Sequence, residues 1–254
     1  MLYEKAFQKG LWEAVRAEKA YAPLLSALLE DYRAVSREGP VSAVRFSEYI
    51  IYQETGSRKK YEAAYFARRK RLNTYALMAL VYPEEGEHLL QLQDTVWAIC
   101  DEYTWALPAH IAWRTGRDPG CIDLFSAETG FALSTIRHLL GDRLHEKMKE
   151  RIDWEINRRI IRPFLYRRFW WEHSNNNWAA VCAGSVGCTF MLSRPRLFSL
   201  IRPRIAFTMR RFLSGFSADG ICAEGVDYWS YGFGFFTVYA LSLIHISEPT
   251  RRSY

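Results

Sequence analysis

Gly141-Asp142-Arg143-Leu144-His145-Glu146-Lys147-Met148-Lys149-Glu150-Arg151-Ile152-Asp153-Trp154-Glu155-Ile156-Asn157-Arg158-Arg159-Ile160 decides the class of this chain. Leu144, Met148, Ile152, Ile156 and Ile160 recur every four residues with charge between them, the pattern of a helix with one face turned inward. Gly141 reads as the stop of a preceding helix and Asp142 as the N-cap of this one. Similar stripes lie upstream. Leu89, Leu92, Val96, Ile99 and Tyr103 follow the breaker Pro83-Glu84-Glu85-Gly86, and Tyr61, Tyr65, Leu72 and Tyr75 precede it. Further helices are expected from about Leu11 to Val35, interrupted near Tyr21 to Pro23, and through Ser42 to Gln53. Others are expected from Trp178 to Leu192 and from Pro203 to Leu213. Sustained alternation is missing, and Asp219-Gly220 reads as a turn between helices. The fold class is all-α, and helices of this length on short loops favour antiparallel hairpins.

The chain has 254 residues, 49% apolar and 15% aromatic, enough to bury a core as one large domain. Its apolar stretches are broken by charge well before the ~20 residues a membrane span needs, so no membrane partner is expected. Met1-Leu2-Tyr3-Glu4-Lys5 carries an early acid and lacks the apolar run of a signal peptide. Cys100, Cys121, Cys182, Cys188 and Cys222 are odd in number and lack metal-ligand spacing, so reduced thiols in a cytoplasmic setting are the expectation. A formal charge of +6, with the runs Arg68-Arg69-Lys70-Arg71 and Arg210-Arg211, invites a nucleic-acid reading. These runs sit in helical patterns that offer outward faces, and no aromatic–basic interleaving accompanies them, so no nucleic-acid partner is expected. A modest positive field also attracts an anionic sugar polymer.

Two segments carry chemistry. His173-Ser174-Asn175-Asn176-Asn177-Trp178 sets neutral amides beside a histidine, and Asp219-Gly220-Ile221-Cys222-Ala223-Glu224-Gly225-Val226-Asp227-Tyr228-Trp229-Ser230-Tyr231-Gly232 sets tyrosines behind an acid. Glycoside hydrolysis ordinarily uses two carboxylates. Amide, imidazole and phenol instead suit a reaction that acidifies a carbon next to a carboxylate and then moves protons, which is β-elimination on a uronic-acid sugar. Each residue also has a plainer reading. Asparagines make turns, and Asn177 would serve as the cap of the helix beginning at Trp178. Most aromatics around Tyr228 and Tyr231 belong in a core. Glu224 either orients a tyrosine or bonds a sugar hydroxyl, or is a solvated loop acid. No His/Cys/Asp/Glu set has zinc or calcium ligand spacing.

Both segments resemble the heparinase II/III family of polysaccharide lyases. Glu102-Tyr103-Thr104-Trp105-Ala106-Leu107-Pro108-Ala109-His110 is similar to that family's acid-aromatic-Trp-x-x-Pro-x-His stretch, and Asp123-Leu124-Phe125-Ser126-Ala127-Glu128-Thr129 to the segment after it. The four likenesses keep their order from about Trp97 to Gly232. The resemblance implies an incomplete (α/α) toroid of antiparallel helical hairpins, followed in complete members by a C-terminal β-sandwich that is truncated here. It implies a lyase acting on anionic uronic-acid glycans. Asn177, helped by Asn176, would neutralise the C5 carboxylate, and Tyr231 or His173 would remove the C5 proton. Tyr231 would then protonate the leaving O4. Tyr228 competes for that role, with Tyr231 preferred because Tyr231-Gly232 reproduces the family's Tyr-Gly pair. Trp178 would pack a sugar face, with Glu224, Trp105, His110, Glu102 and Glu128 lining the cleft. No cofactor is expected in this fragment; the C-terminal part that is missing leaves room for a metal and for a further histidine, so the fragment is expected to be inactive by itself.

Leu241-Ser242-Leu243-Ile244-His245-Ile246-Ser247-Glu248-Pro249-Thr250-Arg251 reads as the in-frame translation of a transposase adapter used in sequencing libraries. Residues 1–240 are therefore expected to form the incomplete helical domain and 241–254 a non-native tail, and His245 is no site candidate. Two other functional classes fit the same residues. A glycoside hydrolase on a helical toroid would draw two carboxylates from Glu102, Glu128, Asp219 and Glu224. A non-catalytic glycan-binding protein would keep the aromatic cleft and be indifferent to loss of the tyrosines.

Overall fold

The computed structural model describes residues 3–8, 10–111, 120–222 and 224–247. Its α-helices are α1 (Leu11–Ala17), α2 (Ala22–Arg37), α3 (Phe46–Tyr49), α4 (Ile51–Thr55), α5 (Lys59–Val81), α6 (Gly86–Cys100), α7 (Leu124–Leu140), α8 (Glu146–Ile156), α9 (Arg162–Tyr166), α10 (Asn177–Ser193), α11 (Pro195–Leu213) and α12 (Val226–Ser247). Among the described residues no strand forms, and Phe216 and Cys222 make an isolated antiparallel bridge. No helix among them is long and apolar enough to cross a membrane.

The stripe from Leu144 to Ile160 is buried throughout. A strict four-residue repeat drifts by about 40° per step around an α-helix. A π-helical turn at Asn157–Ile161, between α8 and α9, widens the coil and sets the angle back, so Ile160 and Ile161 both stay inward. The start of α8 differs from the sequence expectation. Asp142 lies in a 3-10 turn (Gly141–Arg143), and α8 is capped by His145, whose Nδ1 accepts the Lys147 N–H at 3.2 Å. The α6 stripe stops at Cys100, leaving Tyr103 exposed. Helix α11 begins at Pro195, where a first-turn proline costs no hydrogen bond, and carries Pro203 in its interior. Between Ser42 and Gln53 the expected helix is replaced by the short α3 and the start of α4, and the Ser42 carbonyl is taken by the Arg68 guanidinium (Nε to O 2.9 Å).

That arginine belongs to the basic run read as outward-facing, and the structure turns most of the run inward. Arg68 and Arg71 are buried, and only Lys70 is exposed, paired with Asp31 at 2.6 Å. Arg68 Nη1 and Arg69 Nη1 reach Glu102 Oε1 at 2.8 and 2.6 Å, while Arg71 bonds the Val35 carbonyl and Gln91. Arg159 of the π-helical turn, held by Glu155 at 2.6 Å, bonds the carbonyls of Cys100, Glu102 and Tyr103. The run is a clamp between α5, the end of α6 and the loop toward His110. Its charge is spent inside the fold.

Four helices run in one direction side by side. Tyr65 and Arg69 of α5 bond Thr129 of α7, and Asn73 to Leu80 continue along Phe131 to Leu140. Gly130 and Ser134 of α7 meet Thr189 and Ser193 of α10. Asn177, Gly184 and Gly187 of α10 meet Gly232, Phe235 and Tyr239 of α12. Helix α10 is apolar on every side and buried from Ala179 to Met191, as befits the central element of a layered helical domain. Helices α6, α8 and α11 make the returns between these four.

Glycines set the distance between α10 and α12. A Cβ on Gly184 would lie 2.9 Å from the Phe235 carbonyl oxygen, and one on Gly187 would enter the Tyr239 ring. Helix α12 runs unbroken past Ala240 to Ser247. Ser242 is buried and donates to the Val238 carbonyl at 2.8 Å, and Leu243 packs against the core, while Leu241, Ile244 and Ile246 are exposed. Residues 248–254 of the expected tail lie outside the described residues. Thermal unfolding tests the glycine contact. Gly184→Ala should destabilise by about 1–3 kcal/mol through overpacking, whereas Gly234→Ala in α12, with open space around it, should stabilise by about 0.5–1 kcal/mol.

Candidate functional site

The parallel arrangement gathers the N-terminal ends of α5, α7, α10 and α12, where unpaired backbone N–H groups favour negative charge. Three carboxylates lie there. Asp123 caps α7: its Oδ1 accepts the Ser126 N–H at 2.7 Å and its Oδ2 the Leu107 N–H at 3.1 Å. The same Oδ2 meets His110 Nδ1 at 2.8 Å, and His110 Nε2 lies 3.3 Å from Arg58 Nη2. A guanidinium can only donate, so Nε2 accepts and the proton sits on Nδ1, pointing at Asp123. The imidazole stacks on Phe125 at 5.8 Å and meets Trp178 edge-on at 4.9 Å, and Trp178 in turn packs on Trp170.

Asn176, rather than Asn177, is the cap of α10, its Oδ1 accepting the Trp178 N–H at 3.2 Å and the Ser174 hydroxyl at 2.7 Å. Asn177 is the first helical residue and is buried. Its backbone N–H donates to Glu224 Oε2 at 2.6 Å and its amide nitrogen to Oε1 at 2.8 Å. The Asn177 Oδ1 is buried with no hydrogen-bond partner among the described residues. Glu224 thus grips the helix start in a two-point carboxylate contact, just before Gly225, whose φ of +95° only glycine adopts easily.

Gly232 brings the second segment onto the first. A Cβ there would stand 3.2 Å from the Asn177 Cα and Cβ. Its neighbour Tyr231 turns to α7 and donates its hydroxyl to Glu128 Oε1. Burial, together with the Glu128 charge, pushes the Tyr231 phenol well above its ordinary value. Burial also pushes the Glu128 carboxyl up to about 7, against the Tyr231 hydrogen bond and with help from the Asp123 charge. Glu128 is a carboxylate poised to exchange a proton near neutral pH, with a tyrosine hydroxyl on it.

The structure thus brings together Asn177, Asn176, Trp178, Glu224, Tyr231, Glu128 and His110. It places the other expected residues elsewhere. Trp105 is 1% exposed, its Nε1 bonded to the Ile99 carbonyl and its ring under the Arg159 guanidinium, so it offers no face to a sugar. Glu102 is consumed by Arg68 and Arg69. His173 is exposed and lies edge-on to Phe207 of α11. Tyr228 stands 54% exposed in the first turn of α12. Asp123 and Arg58, which organise His110, were not singled out; an acid directly before the apolar run at Leu124 was the available signal for the former. Among the described residues no group of three or more His, Cys, Asp and Glu side chains is arranged to hold a metal. No protein-family model matches the chain, and a search of curated proteins finds no match.

The Glu128 carboxyl gives a signed pH prediction. Its pKa in the folded state lies above the unfolded value, so its contribution is full below about pH 4.5 and is lost as pH rises through about 7. Denaturant unfolding at about pH 5 and pH 8 should reveal a penalty on the order of 1–3 kcal/mol at the higher pH, and Glu128→Gln should abolish most of it. An unchanged pH slope in the variant would place the titrating group elsewhere.

Proposed function

We propose that this chain carries the helical part of a polysaccharide or oligosaccharide lyase that cleaves uronic-acid glycans by β-elimination. The observation that carries the reading is the meeting of the two segments: Gly232 lies against Asn177, and the adjacent Tyr231 is bonded to a carboxyl that titrates near 7. Four parallel helices alternating with returning ones are also what an incomplete (α/α) toroid of helical hairpins requires. Its open end would be the end where the four N-termini gather.

In this reading the substrate carboxylate takes the place of the Glu224 carboxylate on the Asn177 N–H and amide, a seat already built for a carboxylate. Hydrogen bonds from the start of α10 then strengthen as negative charge spreads from C5 into that group. The C5–H bond breaks, its electrons form the C4–C5 double bond, and the C4–O4 bond breaks with its pair on O4. Tyr231 gives O4 its proton. Glu128 accepts the proton taken from C5 and then passes it to the Tyr231 phenolate, which restores the pair to its starting state. Trp178, wedged between His110 and Trp170, offers the ring face for a sugar.

A hydrolase reading has one observation in its favour, the elevated Glu128 among other acids, and the product separates the two. A lyase yields an ultraviolet-absorbing unsaturated sugar, whereas a hydrolase adds water and yields none. With a panel of uronic-acid glycans, Tyr231→Phe should lower the rate of double-bond formation at least ~10²-fold with little change in KM. Asn177→Ala should also lower turnover, because it removes a contact that strengthens in the transition state. Tyr228→Phe should leave most activity. Near-wild-type elimination by the Tyr231 variant would overturn the mechanism.

A further inference from the structure

A concavity lies on another face, between the segment from Val41 to Tyr49 and the outer side of α6. It encloses about 790 Å³, a size typical of small-molecule sites. A wall of Tyr61, Tyr65, Leu107, Tyr49 and Phe125 divides it from the site above. Its aromatic lining is unusual for a surface: Trp97 is 47% and Tyr103 60% exposed. Tyr103 stands edge-on to Tyr49 at 5.4 Å. Asp94 of α6 and Asp101, which caps that helix, lie one turn before and one turn after Trp97, so an indole is flanked by carboxylates.

The charges decide what fits. Glu102 at the floor is neutralised by Arg68 and Arg69, and Arg45 at the rim is paired with Glu48 at 3.0 Å. Asp101 is held at 2.7 Å by Arg151, whose guanidinium also lies 5.6 Å from the Trp97 ring centre. Four guanidiniums, of Arg45, Arg68, Arg69 and Arg151, thus stand against four carboxylates, of Glu48, Glu102, Asp101 and Asp94, in and around the pocket, which leaves it without net charge. An anionic ligand would find no net positive charge to answer its own. A cation would have to displace the guanidiniums already paired with the carboxylates of Asp101 and Glu102. A purely apolar ligand would strip water from carboxylates without replacing it. A neutral sugar ring meets all three conditions, with its C–H face on an aromatic ring and its hydroxyls donating to carboxylate oxygens.

We infer that this pocket is a second carbohydrate site, one that takes a neutral pyranose through Trp97, Tyr103, Asp94 and Asp101. It stands on its own residues and holds whether or not the elimination reading does. The chain, titrated with a pool of cellobiose, maltose and lactose and followed by saturation-transfer NMR, should bind at least one of them. Trp97→Ala should weaken that binding at least ~10-fold, and Asp94→Asn should weaken it measurably. Asn177→Ala should leave it unchanged. Trp97 is surface-exposed, and an unaltered thermal melt of the variant will verify that it folds. Absence of binding by all three disaccharides, or equal binding by Trp97→Ala, would overturn the assignment. So would choline binding that depends on Asp94, which would make the pocket a cation site.

Discussion

The contact between the backbones of α10 and α12 is the constraint on which the candidate site depends. Two helices carrying ordinary side chains pack with axes 8–10 Å apart. Gly184, Gly187 and Gly232 remove the side chains at the crossing, so the Phe235 carbonyl approaches α10 directly and Gly232 settles on Asn177. That approach fixes how far Tyr231 projects, and therefore that its hydroxyl ends on Glu128 of α7 rather than in solvent. A side chain at Gly232 would meet Phe212 as well as Asn177, loosening the core and the site together. Packing and chemistry share one contact.

The second determinant is how carboxylates are treated at the gathered helix ends. Asp123 receives two backbone N–H groups and the His110 imidazole, so its charge is fully supported. Glu224 receives a backbone N–H and an amide from Asn177. Glu128 is buried with the Tyr231 hydroxyl on it, and that burial, helped by the Asp123 charge, pushes its carboxyl up. Burial without a cation beside it raises the cost of holding a carboxylate charge. Glu102 illustrates the opposite treatment. Arg68 and Arg69 lock it into a buried ion pair that ties α5 to the end of α6, a structural use of an acid whose local sequence suggested sugar binding.

Legibility followed from how local each feature is. The four-residue stripe of α8, the tyrosine face of α5 and the apolar α10 are properties of consecutive residues, and their periodicity could be read directly. Ends were harder, because Asp142, His145, Asn176 and Asn177 are all chemically able to cap, and only the path of the chain selects among them. The arginine run misled for the same reason: four basic residues look solvated until a buried acid 33 and 34 positions away claims two of them. Helix α12 was obscured by its aromatics, which face several directions and leave no period. The Tyr231–Glu128 bond spans 103 positions and depends on the parallel register of α7 and α12, so no local pattern could announce it.

The occupied state of Asn177 bears on how a substrate would gain its affinity. Asn177 is expected to meet a substrate carboxylate, yet its backbone N–H and its amide nitrogen already donate to Glu224. A ligand carboxylate entering this seat exchanges one anion for another, so charge at the start of α10 is unchanged and little net free energy comes from the exchange itself. Binding must draw on other contacts: the Trp178 ring face, and the buried Asn177 Oδ1, which lacks a donor that a sugar hydroxyl would supply. Such a seat discriminates weakly in the ground state. In the proposed elimination its donors would gain strength as charge develops on the bound group, which would put the interaction in the transition state, where it raises turnover rather than affinity.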